Sequence, residues 1–183
     1  LNTTHYRIPD EATITKWKNE TPDDFKFCPK IPQSISHSRD LGMSGSSIQL
    51  FCDRIRLLDK KIGCCFMQLP PYFSVERSDL LRQFLMNFPN DIPLSIEFRH
   101  ESWFSQSIEF QKLIHFFRNH NIATVITDVA GRRDVLHQEI TSPKLVVRFV
   151  GNALHPTDYS RVDRWIAELQ SLFEAGLQEV YFF

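Results

Sequence analysis

LSIEFRHESWF, Leu94 to Phe104, is the stretch from which the fold is read. Leu94, Ile96 and Phe98 are apolar at alternate positions, the period of a β-strand, and the other face carries Ser95, Glu97 and Arg99. His100 follows at once. Apolar packing does not account for a strand that ends in a carboxylate, a guanidinium and an imidazole. Such an ending fits a strand in a parallel sheet whose C-terminal end carries chemistry.

Working outward, short apolar runs recur near Phe25–Cys28, Cys64–Leu69, Leu94–Phe98, Ala123–Asp128, Leu145–Val150 and Glu179–Phe183. Segments of helical period lie between them. Ile48, Phe51, Ile55, Leu58 and Ile62 are spaced 3, 4, 3 and 4 apart, which draws one apolar stripe down a helix. Similar stripes run through Leu80–Phe88, Ile108–Phe117 and Val162–Phe173, with a weaker one at Ile14 and Trp17 after Pro9 and Asp10. Alternating strand and helix gives the α/β class with a mostly parallel sheet. Strands buried on both faces read as such continuous apolar runs.

Two arrangements compete, an open doubly wound sheet and a closed (β/α)8 barrel. The G-x-G-x-x-G fingerprint is missing from every strand-to-helix turn, including Val150-Gly151-Asn152. That lowers the open-sheet reading without removing it, and no cofactor is expected. Every run but the last ends in groups able to do chemistry: Lys30; Gln68; Glu97, Arg99 and His100; Asp128; then Arg148 and Asn152. A barrel gathers such groups around one C-terminal mouth, whereas an open sheet uses mainly those at its switch point. The barrel is the expectation, with Ser95, Glu97 and Arg99 facing inward and Ile96 and Phe98 facing the helices.

Composition bounds the function. The 183 residues are 42% hydrophobic, enough to bury the core of one domain, and the net charge of -1 argues against a surface built for nucleic acid or membrane. No apolar run reaches the roughly 18 residues of a membrane span. LNTTHYRIPD lacks the basic start and apolar centre of a signal peptide, and it begins with Leu1, as if inside a larger protein. The 4 cysteines show no C-x-x-C pair and no histidine at zinc spacing. Buried thiols in a reduced, cytoplasmic protein are expected, and no metal site.

FKFCPKIP, CCFMQLPPYF, LSIEFRHESWF, ATVITDVAGRRDVLH, and LVVRFVGN with LHPTDYSRVDRW, in this order and spacing, resemble the YecE-like family, called domain of unknown function 72. The resemblance spans essentially the whole chain. It implies a (β/α)8 TIM-barrel-like fold, and it implies no reaction, because none is established for the family. Against the family pattern, residues 1–183 read as a single domain holding strands two to eight. Leu1–Tyr6 resembles the end of the second strand, and the Gly-Thr-Ser-Gly-type turn of the first strand and the final helix are not in the chain. A full barrel has about 250 residues. SRDLGMSGSSIQLF, where the family has a longer stretch leading into its helix, reads as a flexible loop or as the scar of residues absent from this sequence.

At the expected mouth Lys30, Arg99 and Arg148, with Arg132 or Arg133, outnumber Glu97 and Asp128, while His100 titrates near neutrality. That excess favours a small anionic ligand, phosphate or carboxylate, which arginine grips with two parallel bonds. The reading that follows is an enzyme of small phosphorylated or carboxylated metabolites. Glu97 serves as general acid or base, His100 as a second proton carrier and Asp128 as an orienting carboxylate. Lys30, Arg99 and Arg148 form the anion clamp, Gln68 orients the substrate, and Asn152 follows Gly151 in a turn whose amides approach a phosphate. Alternatives are metal-dependent phosphodiester chemistry on a nucleic acid and a non-catalytic anion-binding barrel. The plainer readings are a structural Glu97–Arg99 ion pair and Asp128 as a turn residue. His5, His37, His115 and His120 read as surface or packing residues, and His137 has no assigned role. Nothing in the sequence sets the oligomeric state.

Overall fold

The computed structural model describes residues 2–105, 107–130 and 139–183. Among them, β1 (Cys65–Gln68), β2 (Leu94–Glu97), β3 (Ala123–Val129), β4 (Lys144–Val150) and β5 (Glu179–Phe182) form a five-stranded sheet in the order β1-β2-β3-β4-β5. Every pairing is parallel. The order follows the chain without reversal, so the sheet has no switch point and is not doubly wound. The strands lie where the apolar runs put them.

The two faces have different partners. Cys65, Met67, Leu94, Ile96 and Phe98 face out and share the main core with residues of α2 (Glu11–Asn19), α3 (Gln33–Ser36), α4 (Ser47–Arg56), α5 (Ser78–Asn87) and α6 (Ile108–Asn119). Ile126, Leu145 and Val147 face Trp165 of α7 (Pro156–Glu174). The other face packs on itself: Cys64, Phe66, Ala123, Val125 and Val146 form a separate cluster, joined by Tyr181. Such a cluster requires a curled sheet. Phe66 and Phe183 accordingly meet across the concave face, ring centroids 5.6 Å apart.

The helices form where their ends allow. Asp10 caps α2 by accepting the Thr13 amide at 2.8 Å, and Ser107 caps α6 by accepting the Phe110 amide. α7 begins with Pro156 at its first turn, where the missing N–H is no loss. α4 stops at Arg56, short of the Ile62 at which its apolar stripe ends, because Asp59 takes a left-handed φ of 53°. Among the described residues no helix is long and apolar enough to cross a membrane.

Three expectations are corrected here. The first run, Phe25–Cys28, is not a full strand: Phe27 bridges Ile62, Lys30 bridges Phe66, and the register slips by one residue between them. Pro29 lies between the two and has no N–H to donate. Thr3–Tyr6 is one helical turn, α1, rather than a strand end, and it is tied down where Thr4 Oγ1 donates to the Lys30 carbonyl at 2.8 Å. SRDLGMSGSSIQLF is an ordered turn leading into α4, in which Asp40 accepts from the amides of Ser44 and Gly42 and Leu41 is fully buried. Hydrogen bonds from the Ser44 side chain and amide, and then from Gly42, hold the Asp40 pKa at about 2.

Closure of the sheet into a barrel is likewise not observed. Among the described residues β5 pairs only with β4. Gly63 lies where β5 and the Phe27 bridge converge, and a Cβ there would stand 2.9 Å from the Tyr181 ring and 3.0 Å from the Phe27 carbonyl oxygen. Gly63→Ala is therefore expected to lower stability by about 1 to 3 kcal/mol through overpacking. A urea midpoint equal to the wild type's would show that this contact has slack.

Candidate functional site

Register decides which side chains share the concave face. Phe66 pairs with Ser95 and Gln68 with Glu97, so Gln68 and Glu97 stand side by side. On the neighbouring pair Val125 faces Val146 and Thr127 faces Arg148. Side chains alternate along a strand, so Gln68, Glu97, Thr127 and Arg148 all rise from the inner face near the C-terminal strand ends.

Gln68, Glu97 and Arg148 form one network with Lys30 and Arg99, beside Thr127. Glu97 is fully buried. Its Oε1 accepts from Gln68 Nε2 at 2.9 Å, from Arg148 Nη1 at 2.9 Å and, more weakly, from Arg99 Nη1 at 3.4 Å. Lys30 Nζ donates to the other end of the Gln68 amide, Oε1, at 3.0 Å. This orientation of Gln68 alone matches a donor to an acceptor at both ends. Burial lowers the Lys30 pKa, Arg148 and Arg99 lower it further, and Glu97 opposes them. Arg99 and Arg148 keep 40% and 32% of their side-chain surface, so the cations are reachable and the carboxylate is not.

One feature of this network is incomplete. Glu97 Oε2 and Thr127 Oγ1 are buried and have no hydrogen-bond partner. Buried polar groups nearly always have one, and an unmatched one costs about 1 to 3 kcal/mol.

The other buried carboxylates contrast with it. Asp128 Oδ1 accepts from Arg161 Nη2 at 2.9 Å and Nε at 3.2 Å, while Oδ2 accepts from Trp165 Nε1 at 2.8 Å. Asp158 Oδ1 accepts from Arg161 Nη1, and its Oδ2 from the Asn152 amide at 2.6 Å. Both are satisfied on both oxygens and lie on the helix side. Asp128 is thus not brought to the mouth with the cations, because it has the opposite strand parity to Thr127. The Asn152 amide, expected to approach a phosphate, is held by Asp158.

His100 also lies apart from the Glu97 network. Its Nδ1 accepts the Ser102 amide at 3.1 Å and caps the short 3-10 helix Glu101–Phe104. Trp103 is fully buried in the helix-side core, its Nε1 donating to the Phe73 carbonyl at 2.7 Å. Arg132, Arg133 and His137 lie outside the described residues. The structure thus brings together Lys30, Gln68, Glu97, Arg99 and Arg148.

Three groups at or beside the site were not assigned from sequence. Thr127 has the inward parity of Val125, a signal present in the alternation of ATVITDV. Arg161 and Trp165 stand four apart on α7 and both reach Asp128. His5 and His37 approach each other, ring centroids 5.6 Å apart. Burial lowers the pKa of both, opposed at His5 by its bond to the Ile31 carbonyl and reinforced at His37 by the neighbouring His5, with Lys30 adding to the lowering of each. The expectation of buried thiols holds for three of the cysteines, and Cys28 is half-buried. Cys52, Cys64 and Cys65 are buried and unbridged, and burial pushes the Cys64 thiol up to about 12.

Comparison with known proteins places the chain in a family. The chain matches the family model described as protein of unknown function DUF72 over residues 1–183. It is 30% identical over 169 residues to the UPF0759 protein YecE of Escherichia coli K12, covering 82% of this chain and 62% of that protein. It is 29% identical over 125 residues to the UPF0759 protein YunF of Bacillus subtilis 168, covering 61% of this chain and 44% of that protein. The chain therefore spans about three fifths, or less, of the length of these relatives. The crystal structure of a DUF72 family protein from Enterococcus faecalis V583 superposes with a TM-score of 0.79 at 20% identity, over 98% of this chain and 78% of that one, and so shares the fold. The chain belongs to the DUF72 family.

Proposed function

We propose that the concave face is the site of an enzyme acting on a small phosphorylated or carboxylated metabolite, at the C-terminal ends of strands wound as in a (β/α)8 barrel. One observation carries the reading: Lys30, Arg99 and Arg148 crowd around a single buried carboxylate, so the cluster holds more positive than negative charge. An overall charge of -1 makes this potential local. A focused patch selects small anions over long polyanions. Glu97 is the proton-handling group, and Arg99 and Arg148 are the clamp. His100 and Asp128 leave this set because their polar atoms serve a cap and a core ion pair.

A thermal screen of inorganic phosphate, sugar phosphates and carboxylates tests the reading. At ten times its dissociation constant a ligand adds about 1.4 kcal/mol, which for a domain of this size raises the melting temperature by roughly 3 to 6 °C. Arg99→Lys or Arg148→Lys keeps the charge but loses the fork, and at least one is expected to reduce the shift. Absence of any shift in the wild type removes the proposal.

Lys30 adds a pH test. Its pKa lies below that of an ordinary lysine, so its charge, and with it phosphate affinity, is lost as pH rises through that lowered value. Lys30→Arg, which stays protonated, is expected to abolish this alkaline decline in a calorimetric titration. An unchanged decline would place the titrating group elsewhere.

A further inference from the structure

The two unmatched atoms on the inner face define what the anion must carry. Glu97 Oε2 is an acceptor, so its missing partner is a donor. A bare phosphate dianion or carboxylate offers none. Thr127 is set level with Arg148 by the β3–β4 register, on the strand between β4 and the end of β2 that Arg99 follows, and the Arg99 and Arg148 guanidiniums converge on Glu97 Oε1 at 3.4 and 2.9 Å. An anion held between the two arginines therefore lies over the Thr127 hydroxyl, which has a proton to donate. Arg99 makes the longest of the three contacts to Glu97 and has the more exposed of the two arginine side chains, so it is the group most readily drawn from the carboxylate onto an anion.

Resting on the anion-site reading, we infer that the occupant is a hydroxylated anion with a hydroxyl on the carbon chain beside its carboxylate or phosphate. That hydroxyl donates to Glu97 Oε2, and the anionic oxygens accept from Arg99, Arg148 and Thr127 Oγ1. The class is hydroxy acids and polyol phosphates. Thr127 is a binding residue of the site, and the single carboxylate inside a cationic cluster is the element that reads the hydroxyl. Asp128 and Asp158, each satisfied on both oxygens, show that buried carboxylates elsewhere in this fold are fully served by the protein itself.

Matched pairs of anions test this: glycerate against propionate, and glycerol 1-phosphate against propyl phosphate, titrated calorimetrically into the wild type, Thr127→Val and Thr127→Ser. The hydroxylated member of each pair is expected to bind at least about tenfold more tightly, the scale of a hydrogen bond to a charged group. Thr127→Val, which keeps the shape, is expected to weaken both members about fivefold, and Thr127→Ser to restore them. Equal affinities within a pair would overturn the inference while leaving the anion site standing, with water serving both atoms. Binding unaffected by Thr127→Val would remove Thr127 from the site and overturn the inference as stated. If neither member of either pair binds, the anion reading itself fails, and this inference with it.

Discussion

Replacing Arg161 with methionine is expected to lower stability by about 3 to 5 kcal/mol, the cost of removing one partner from a buried, hydrogen-bonded ion pair. Arg161 is 4% exposed and serves Asp128 and Asp158 together, as well as the backbone carbonyls of Asp128 and Val150. Its guanidinium also lies 4.2 Å from the Phe149 ring centroid. Without it Asp128 keeps the Trp165 N–H and Asp158 keeps the Asn152 amide, but both carboxylates lose the charge that offsets their burial. For a chain of 183 residues this corresponds to a fall in melting temperature of roughly 6 to 20 °C. Thermal and urea melts of Arg161→Met measure it. A loss below about 1 kcal/mol would mean that Asp128 is not held in this way, and would reopen its assignment to the mouth.

The Asp128 result shows what sequence pattern can and cannot supply. Periodicity located the strands because it depends on neighbours along the chain: Leu94, Ile96 and Phe98 set the outward face of β2, and Glu97 followed inward by alternation. The same alternation, applied from Val125, puts Thr127 inward and Asp128 outward. Taking Asp128 as the end of an apolar run, without counting its parity, puts on the inner face a residue that the structure turns toward α7. One residue is enough to change face.

Other features were not legible because they depend on pairing across the fold. That Gln68 stands beside Glu97, or that Arg148 reaches it across β3, follows from register, which no local pattern states. Asp158 holding the Asn152 amide requires the first turn of α7 to fold back on the β4 end. Pro29, by contrast, is visible in the sequence and signals that the first run cannot complete a ladder. The Asp40 turn was legible in principle too, since Asp followed by Gly and Ser offers a short acceptor to nearby amides.

Converting Glu97 to glutamine is expected to separate structure from function. If Glu97 existed to hold Arg99 and Arg148, its loss would destabilise the chain by several kcal/mol, as for the Asp128 pair. The geometry argues otherwise: both arginines are partly solvated, and one carboxylate oxygen is unserved. Glutamine keeps the shape and an oxygen for Arg148, and it removes a buried charge. Stability is therefore expected to stay within about 1 kcal/mol of the wild type or to rise, the behaviour of a charge kept for function at a cost in stability. Phosphate affinity should increase. A negative charge about 6 Å from the anion, at an effective dielectric constant of 20 or more, opposes binding by up to about 2.8 kcal/mol, so removing it should tighten phosphate by roughly ten- to a hundredfold. Turnover of any substrate found among the stabilising anions should fall by about 10² to 10⁴, the contribution of a positioned acid or base. Denaturation midpoints and phosphate titrations on the same two proteins decide the matter. A stability loss of about 3 kcal/mol or more with unchanged phosphate affinity would make Glu97 the keystone of a structural ion pair, and the site on the concave face would lose its proton carrier.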